Sequence, residues 1–483
     1  MKKLLVFTLS FISFINFSGC SGEEEPSVNV EASAEITVKN GSGGNQQNIY
    51  VYVFEQPSTE PDGSNPDHAI ESQLTDENGI AEFDLNNISI TGTEKTVYFT
   101  VLEELLNGDY NVIGSVAGTI LKEESTSVRK DITLSNQLLG YPNGYLPSTI
   151  SSSLASSEYN RYKSSQMRPC NDGYRMIADP SSETRVEAIG FGMLLSAYAE
   201  DKDTFDGLLN FYKAKKSATA NNMMAWLVTC DGVEDPGSAT DGDIDVAFSL
   251  IVASQHWGDS YLNEAKEIIE ILSSSVLTTC TVDGQTVNVL YPGYSINPWG
   301  GCEMTDIQYY TPAFFRVFAD VSGDVIWDEL ADDSYIILNA SAHPDTGLVP
   351  DWQTADGDPG PGGRAGHFGY DACRVPWRMA LDYLWNGNSE AKAWCTKVAS
   401  WANGVGPTNL VDGYELDGEA IGTNGLNSAF LGGFSVSAMT SSPALSNKFA
   451  EEMNKLNDNY WFNFNTRVLY LFTMTGNFQK PTL

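Results

Sequence analysis

The chain has 483 residues, and its 27 Lys and Arg face 63 Asp and Glu, a formal net charge of −36. That balance argues against nucleic acid as a partner, because phosphate binding needs a basic surface. Only four histidines occur, His68, His256, His343 and His367, and no two have zinc-ligand spacing, so a histidine-built metal site or a Ser-His triad is disfavoured.

In chain order, the first signal is a leader. Lys2 and Lys3 precede an apolar stretch, Leu4 to Phe17, that is too short to span a membrane comfortably. It ends in Phe17-Ser18-Gly19-Cys20, which resembles a bacterial lipobox; residues 1–20 then form a signal peptide and Cys20 becomes the lipidated first residue. An ordinary signal peptide with an incidental cysteine is the competing reading. Residues 21–30 read as an acidic linker, and Ser21-Gly22-Glu23-Glu24-Glu25 is similar to the export signals of surface lipoproteins. The expectation is a monomer anchored in the outer membrane by lipid alone, facing the cell surface.

Residues 31–136 read as β-structure. Ile36-Thr37-Val38, Ile49 to Phe54, Ile80 to Leu85 and Val97 to Leu102 are short β-branched and aromatic runs, with turn signals at Asn40-Gly41, Asn78-Gly79 and Asn107-Gly108. The pattern predicts a small β-sandwich. The stretch Thr75 to Phe83 resembles a hairpin of immunoglobulin-like modules, which usually serve as spacers.

From residue 137 helical periodicity takes over, at Ile189 to Tyr198, Asp203 to Lys215, Asp245 to Ser254, Leu262 to Leu272, Pro312 to Val321, Val375 to Trp385 and Glu390 to Trp401. Polar loops separate these segments, and no fixed repeat marks a solenoid, so residues 137–483 predict a helical barrel or toroid. Beyond Cys20, six cysteines allow 15 pairings. Cys280 and Cys302 are close enough in sequence to pair; free buried thiols are the alternative.

Three acidic clusters open helix patterns. Glu187 sits among Val186, Ala188 and Ile189, and apolar surroundings raise a carboxyl pKa and suit a proton donor. Asp241, Asp243 and Asp245 suggest a calcium loop, but the twelfth position from Asp241 is Val252 rather than Glu, so that reading fails. Asp371 lies beside Tyr370 and three residues before Arg374, a cation that could hold it ionised. Among 10 Trp and 22 Tyr, some rings are expected as flat apolar platforms for sugars.

In this order the clusters resemble glycoside hydrolase family 8. Ala239-Thr240-Asp241-Gly242-Asp243-Ile244-Asp245-Val246-Ala247 follows the family signature with Val246 as its one departure, and Glu187 to Met193 follows a second motif with Ala188 and Phe191 departing. Met224-Ala225-Trp226, Trp257-Gly258-Asp259, Tyr370 to Arg378, Leu381 to Trp385 and Thr475-Gly476-Asn477-Phe478 continue the match. The resemblance implies an (α/α)6 barrel and an inverting hydrolysis of polysaccharide that requires no cofactor and no metal. It implies Glu187 as general acid, Asp371 as general base and Asp241 beside the scissile sugar. Trp226, Trp299, Tyr309, Tyr370 and Arg374 are implied around the substrate, with Phe462 in a Trp461-Phe462 pair where the family often has two tyrosines. The retained Ala-Thr-Asp-Gly-Asp run points to β-1,4-glucan of the cellulase or lichenase type. Xylanase, exo-oligoxylanase or chitosanase activity, or a surface lipoprotein that binds glycan without cutting it, are the alternatives.

Overall fold

The computed structural model describes residues 30–39, 44–47, 49–104, 109–134, 141–171 and 173–482. The leader with Cys20, most of the acidic linker, the Asn40-Gly41 and Asn107-Gly108 turns and the 136/137 boundary lie outside the described residues.

The N-terminal β-strands are β1 Ala32–Lys39, β2 Tyr50–Phe54, β3 Glu71–Leu74, β4 Ile80–Asp84, β5 Glu94–Glu104, β6 Tyr110–Leu121 and β7 Thr126–Thr133. They form a three-stranded sheet, β4-β1-β7, and a four-stranded sheet, β3-β2-β5-β6. Period-two alternation turns Ala34, Ile36 and Val38 of β1 and Val51 and Val53 of β2 into one core shared with Val97, Phe99 and Ile120. At Asn78-Gly79 the Asp76 carboxylate accepts the N–H groups of Asn78 and Ile80, and Gly79 takes φ +75°, the left-handed conformation glycine adopts without strain.

Twelve helices follow among the described residues: α1 Ser152–Gln166, α2 Val186–Tyr198, α3 Lys202–Ala214, α4 Thr240–Trp257, α5 Asp259–Ser275, α6 Pro312–Ser322, α7 Ile326–Ser341, α8 Val375–Asn386, α9 Ser389–Val405, α10 Ser428–Ala438, α11 Pro443–Lys455 and α12 Trp461–Met474. They alternate in environment. Nearly every residue of α2, α4, α10 and α12 is buried, whereas α3, α5, α9 and α11 each keep a solvent face. The even-numbered helices form an inner ring, closed where α12 packs on both α10 and α2. This is the (α/α)6 barrel. Its axis is filled by rings: Phe248 of α4 stacks on Phe314 of α6 at 3.6 Å, and Trp385 and Phe478 stack beside them.

Disulfides join Cys170 to Cys230 and Cys280 to Cys302, while Cys373 and Cys395 are buried free thiols. The two expectations for the cysteines thus each hold for part of the set.

Candidate active site

The inner helices bring their N-termini to one end of the barrel, and the acidic clusters sit there. Glu187 is the second residue of α2, Asp241 the second of α4, and Asp371 precedes the short 3-10 turn Ala372–Arg374 that leads into α8. Helix N-termini carry unpaired N–H groups and the positive end of the helix dipole, a favourable place for carboxylates.

Two glycines permit the close approach of α2 and α4. A Cβ on Gly242 would lie 2.8 Å from the backbone nitrogen of Glu187, and one on Gly190 would lie 3.0 Å from the carbonyl oxygen of Gly242. Further along the same helices, Asp245 of α4 receives both terminal nitrogens of Arg378 of α8, at 2.6 and 2.8 Å, a buried two-pronged pair.

Arg374 joins the three carboxyl groups. Its Nη1 donates to Glu187 Oε1 and lies 3.4 Å from Asp241 Oδ2, and its Nη2 donates to Asp371 Oδ1 at 2.8 Å. Glu187 and Asp371 are therefore separated by the width of one guanidinium. Asp241 also accepts from Gln308 Nε2 at 2.9 Å, and Asp371 Oδ2 accepts from Trp352 Nε1 at 3.0 Å. Exposure differs between them: 5% of the Asp241 side chain, 14% of Glu187 and 38% of Asp371.

Burial pushes the Glu187 carboxyl up to about 7, with the charges of Asp241 and Asp371 acting in the same direction and Arg374 against them. Burial likewise raises Asp351 to about 7, with Asp371 adding to the effect. Asp351 Oδ1 accepts the N–H groups of Gly369 and Ala372, both at 2.8 Å, and so pins the loop that carries Asp371. Asp306 is held well above the ordinary carboxylate range by burial; it caps the turn that presents Gln308 and Tyr309. Asp243 is pushed up to about 7 by burial and accepts the Tyr212 hydroxyl at 2.6 Å.

A cleft of about 450 Å³ opens over these groups, lined by Glu187, Asp241, Asp371 and Arg374 together with Trp226, Trp299 and Tyr309. Trp352, Arg364 and Arg185 complete its walls, and none of the three was expected from sequence. Trp299 and Trp352 stack at 6.1 Å, and the Arg364 guanidinium covers Trp352 at 4.2 Å. The one sequence signal for this wall is the Asp351-Trp352 pair between polar loops, which carries no spacing rule of its own.

Two expected substrate contacts are placed elsewhere. Tyr370 and Phe462 do not line the cleft. Phe462 is buried with its ring 5.2 Å from the Arg374 guanidinium, and Tyr370 packs edge-on against Phe462 and Phe430 while its hydroxyl bonds Asp412 at 3.0 Å. The two rings are in contact with one another, Tyr370 also with Phe430 and Phe462 also with Arg374. Phe462 thus packs on the arginine that joins the three carboxyl groups.

Chemically, the cleft offers a carboxyl that keeps its proton near neutrality, a second carboxyl across a guanidinium, and flat rings on the walls. That set can protonate a leaving oxygen while activating water on the other side.

Comparison with known proteins identifies the family. The family model "Glycosyl hydrolases family 8" matches residues 141–477. "Endoglucanase 2" of Ruminiclostridium josui is 35% identical over 341 residues, 67% of this chain and 71% of that protein. A reducing end xylose-releasing exo-oligoxylanase of Halalkalibacterium halodurans is 28% identical over 62% of this chain and 80% of its own. The apo structure of a β-1,3-1,4-glucanase from Paenibacillus sp. X4 superposes with a TM-score of 0.61 at 26% identity, over 70% of this chain and 96% of that one. With a carboxylate-lined cleft at the head of an (α/α)6 barrel and a family match over most of its length, this chain belongs to glycosyl hydrolases family 8 and is a glycoside hydrolase.

Proposed function

We propose that the enzyme hydrolyses internal bonds of a β-1,4-linked glucan, mixed-linkage glucan included, with inversion at the anomeric carbon. Glu187 is the general acid, Asp371 the general base, and Asp241 holds the sugar between them. The observation that carries this reading is the Arg374 bridge: one guanidinium sets a carboxyl raised to about 7 opposite a second, more exposed carboxyl with which it forms an ion pair. Trp226, Trp299 and Tyr309 are the stacking walls, joined by Trp352.

The charge of the cleft supports an uncharged substrate. With Glu187 protonated, Asp235, Asp241 and Asp371 face Arg185, Arg364 and Arg374, so the lining is neutral in sum and offers a polycation such as chitosan no net attraction. The similarity to proteins named endoglucanase favours glucan over xylan. Reducing-sugar release from barley glucan, carboxymethyl cellulose, xylan and chitosan tests the reading, with glucans expected to lead. Proton NMR of early product should show inverted configuration; retention would overturn the acid–base assignment.

The proposal extends to the chain's placement. Cys20 carries the lipid that holds the enzyme, as a monomer, at the outer membrane surface, and the immunoglobulin-like β-domain separates anchor from catalyst. Cys20→Ala should release the protein from membranes or block its processing.

A further inference from the structure

A second large recess lies at the far end of the barrel, a cleft of about 610 Å³ between the β-domain and the segment that leads into α1. Its floor includes Met474 and Thr475 at the C-terminal end of α12. The N-terminal end of the same helix carries Phe462 beneath Arg374. Phe462 and Met474 lie twelve residues apart on this fourteen-residue helix, so the two clefts are about 20 Å apart along the barrel.

The outer face of the four-stranded sheet forms one wall, with Tyr50 and Tyr52 of β2 and Tyr110 of β6. Tyr50 is 46% and Tyr110 37% exposed, whereas Val51 and Val53, which alternate with Tyr50 and Tyr52 on β2, are fully buried. The rings of Tyr50 and Tyr52 lie 6.1 Å apart with planes inclined by 33°, a shallow aromatic strip facing into the recess. Gln47, Asn143 and Glu104 also line it. Glu104 Oε1 accepts the Ser153 N–H at 3.1 Å, which ties the wall to the start of α1. Burial pushes the Tyr52 hydroxyl up to about 12 and raises that of Tyr110, so the phenols stay neutral and keep their donor protons at any working pH.

We propose that this junction cleft is a second glycan-binding site, which grips a neutral stretch of the polysaccharide at a distance from the bond being cut. The identity of that polysaccharide rests on the reading given under Proposed function. Flat rings take the apolar face of a sugar while amides and a carboxylate take its hydroxyls. The net charge of −36 disfavours an anionic polymer. Because the site lies about 20 Å from the carboxylates along α12, at the barrel's other end, it adds no subsite to the active cleft; it raises the local concentration of chain ends and loops around it.

The test uses the full chain with Glu187→Gln to stop hydrolysis, run in native gels containing barley glucan or xylan. Retardation by one of these glycans is expected. Adding Tyr50→Ala and Tyr110→Ala should weaken it about three- to tenfold, the range that aromatic contacts supply, and Tyr50→Trp should preserve it. In the active chain the same tyrosine pair should leave cleavage of a soluble hexasaccharide unchanged. Equal retardation with and without the tyrosines overturns the proposal. So does a parallel loss of hexasaccharide cleavage, or a loss that tracks conversion of a dimer to monomer in size-exclusion chromatography. Hexasaccharide cleavage by the unmodified chain reports separately on the active-site reading: its absence, with retardation intact, removes that reading and leaves the second site.

Discussion

Arg374 offers one planar set of N–H donors to three carboxyl groups, and its ring support from Phe462 fixes the plane. A lysine, with a single point charge, cannot satisfy the same geometry. Removing the cation by Arg374→Ala deletes the influence that lowers the Glu187 pKa. The expected outcome is a fall in kcat of about 100-fold or more, with the alkaline limb of the residual activity moved to higher pH. With Glu187 as the proposed general acid, the unmodified enzyme needs its proton there, so kcat/KM should decline as pH rises through about 7. Glu187→Gln should lose about 10²–10⁴-fold in kcat while the chain stays folded, as a thermal melt would show. Asp243 allows a separate test on stability. Its folded pKa of about 7 lies above the ordinary aspartate value of 3.8, so the folded state holds a proton that the unfolded chain releases, and stability declines as pH climbs from about 4 to about 7. Asp243→Asn should shrink the drop in Tm between pH 5 and pH 7.5; an unchanged drop would count against this assignment. The carboxylates were legible in the sequence because each sits in a motif beside residues that tune it. Trp352, Arg364 and Asp306 were not, because they reach the cleft from loops whose course is set by packing elsewhere.

At the scale of elements, the site depends on how closely α2 and α4 meet. Gly242→Ala would place a methyl against the backbone of Val186 and Glu187, at 2.7–2.8 Å. Overpacking of this kind costs about 1–3 kcal/mol, and here it also pushes Glu187 away from Asp241. A lowered Tm together with a lowered kcat is expected, measured by thermal unfolding and initial rates. The sequence read seven of the twelve helices found among the described residues. The others were hidden for separate reasons. α1 is rich in serine and its buried face is drawn from Ala155, Tyr159 and Tyr162. α10 contains Gly432 and Gly433, ordinarily breakers, but here they admit the Tyr470 ring and the Cys373 carbonyl. α12 is rich in aromatic and β-branched residues, a composition that resembles a strand. In the β-domain, β7 was missed because Arg129, Lys130 and Asp131 dilute the alternation that buries Val128 and Ile132.

At the scale of the whole molecule, the matched family region starts at Tyr141, whose hydroxyl donates to the Thr473 carbonyl at the base of the barrel. A chain trimmed to begin at Tyr141 should fold and cut a soluble hexasaccharide at nearly the full rate, because every residue lining the carboxylate cleft lies beyond it. If the trimmed chain folds without activity, the β-domain takes part in the chemistry. The change from period-two to helical patterning made the two-part organisation readable; the tyrosine strip was not, since whether a strand ring faces core, solvent or a neighbour depends on the fold around it. The rings along the barrel axis have one more effect. Phe248, Phe314, Trp385 and Phe478 close the toroid from below, so the molecule is a bowl and not a tunnel. A polymer cannot be threaded end-first through it. Under the endo-acting reading proposed above, it is laid across the rim, gripped sideways and let go the same way, so that the middle of a long chain is as open to attack as its tip.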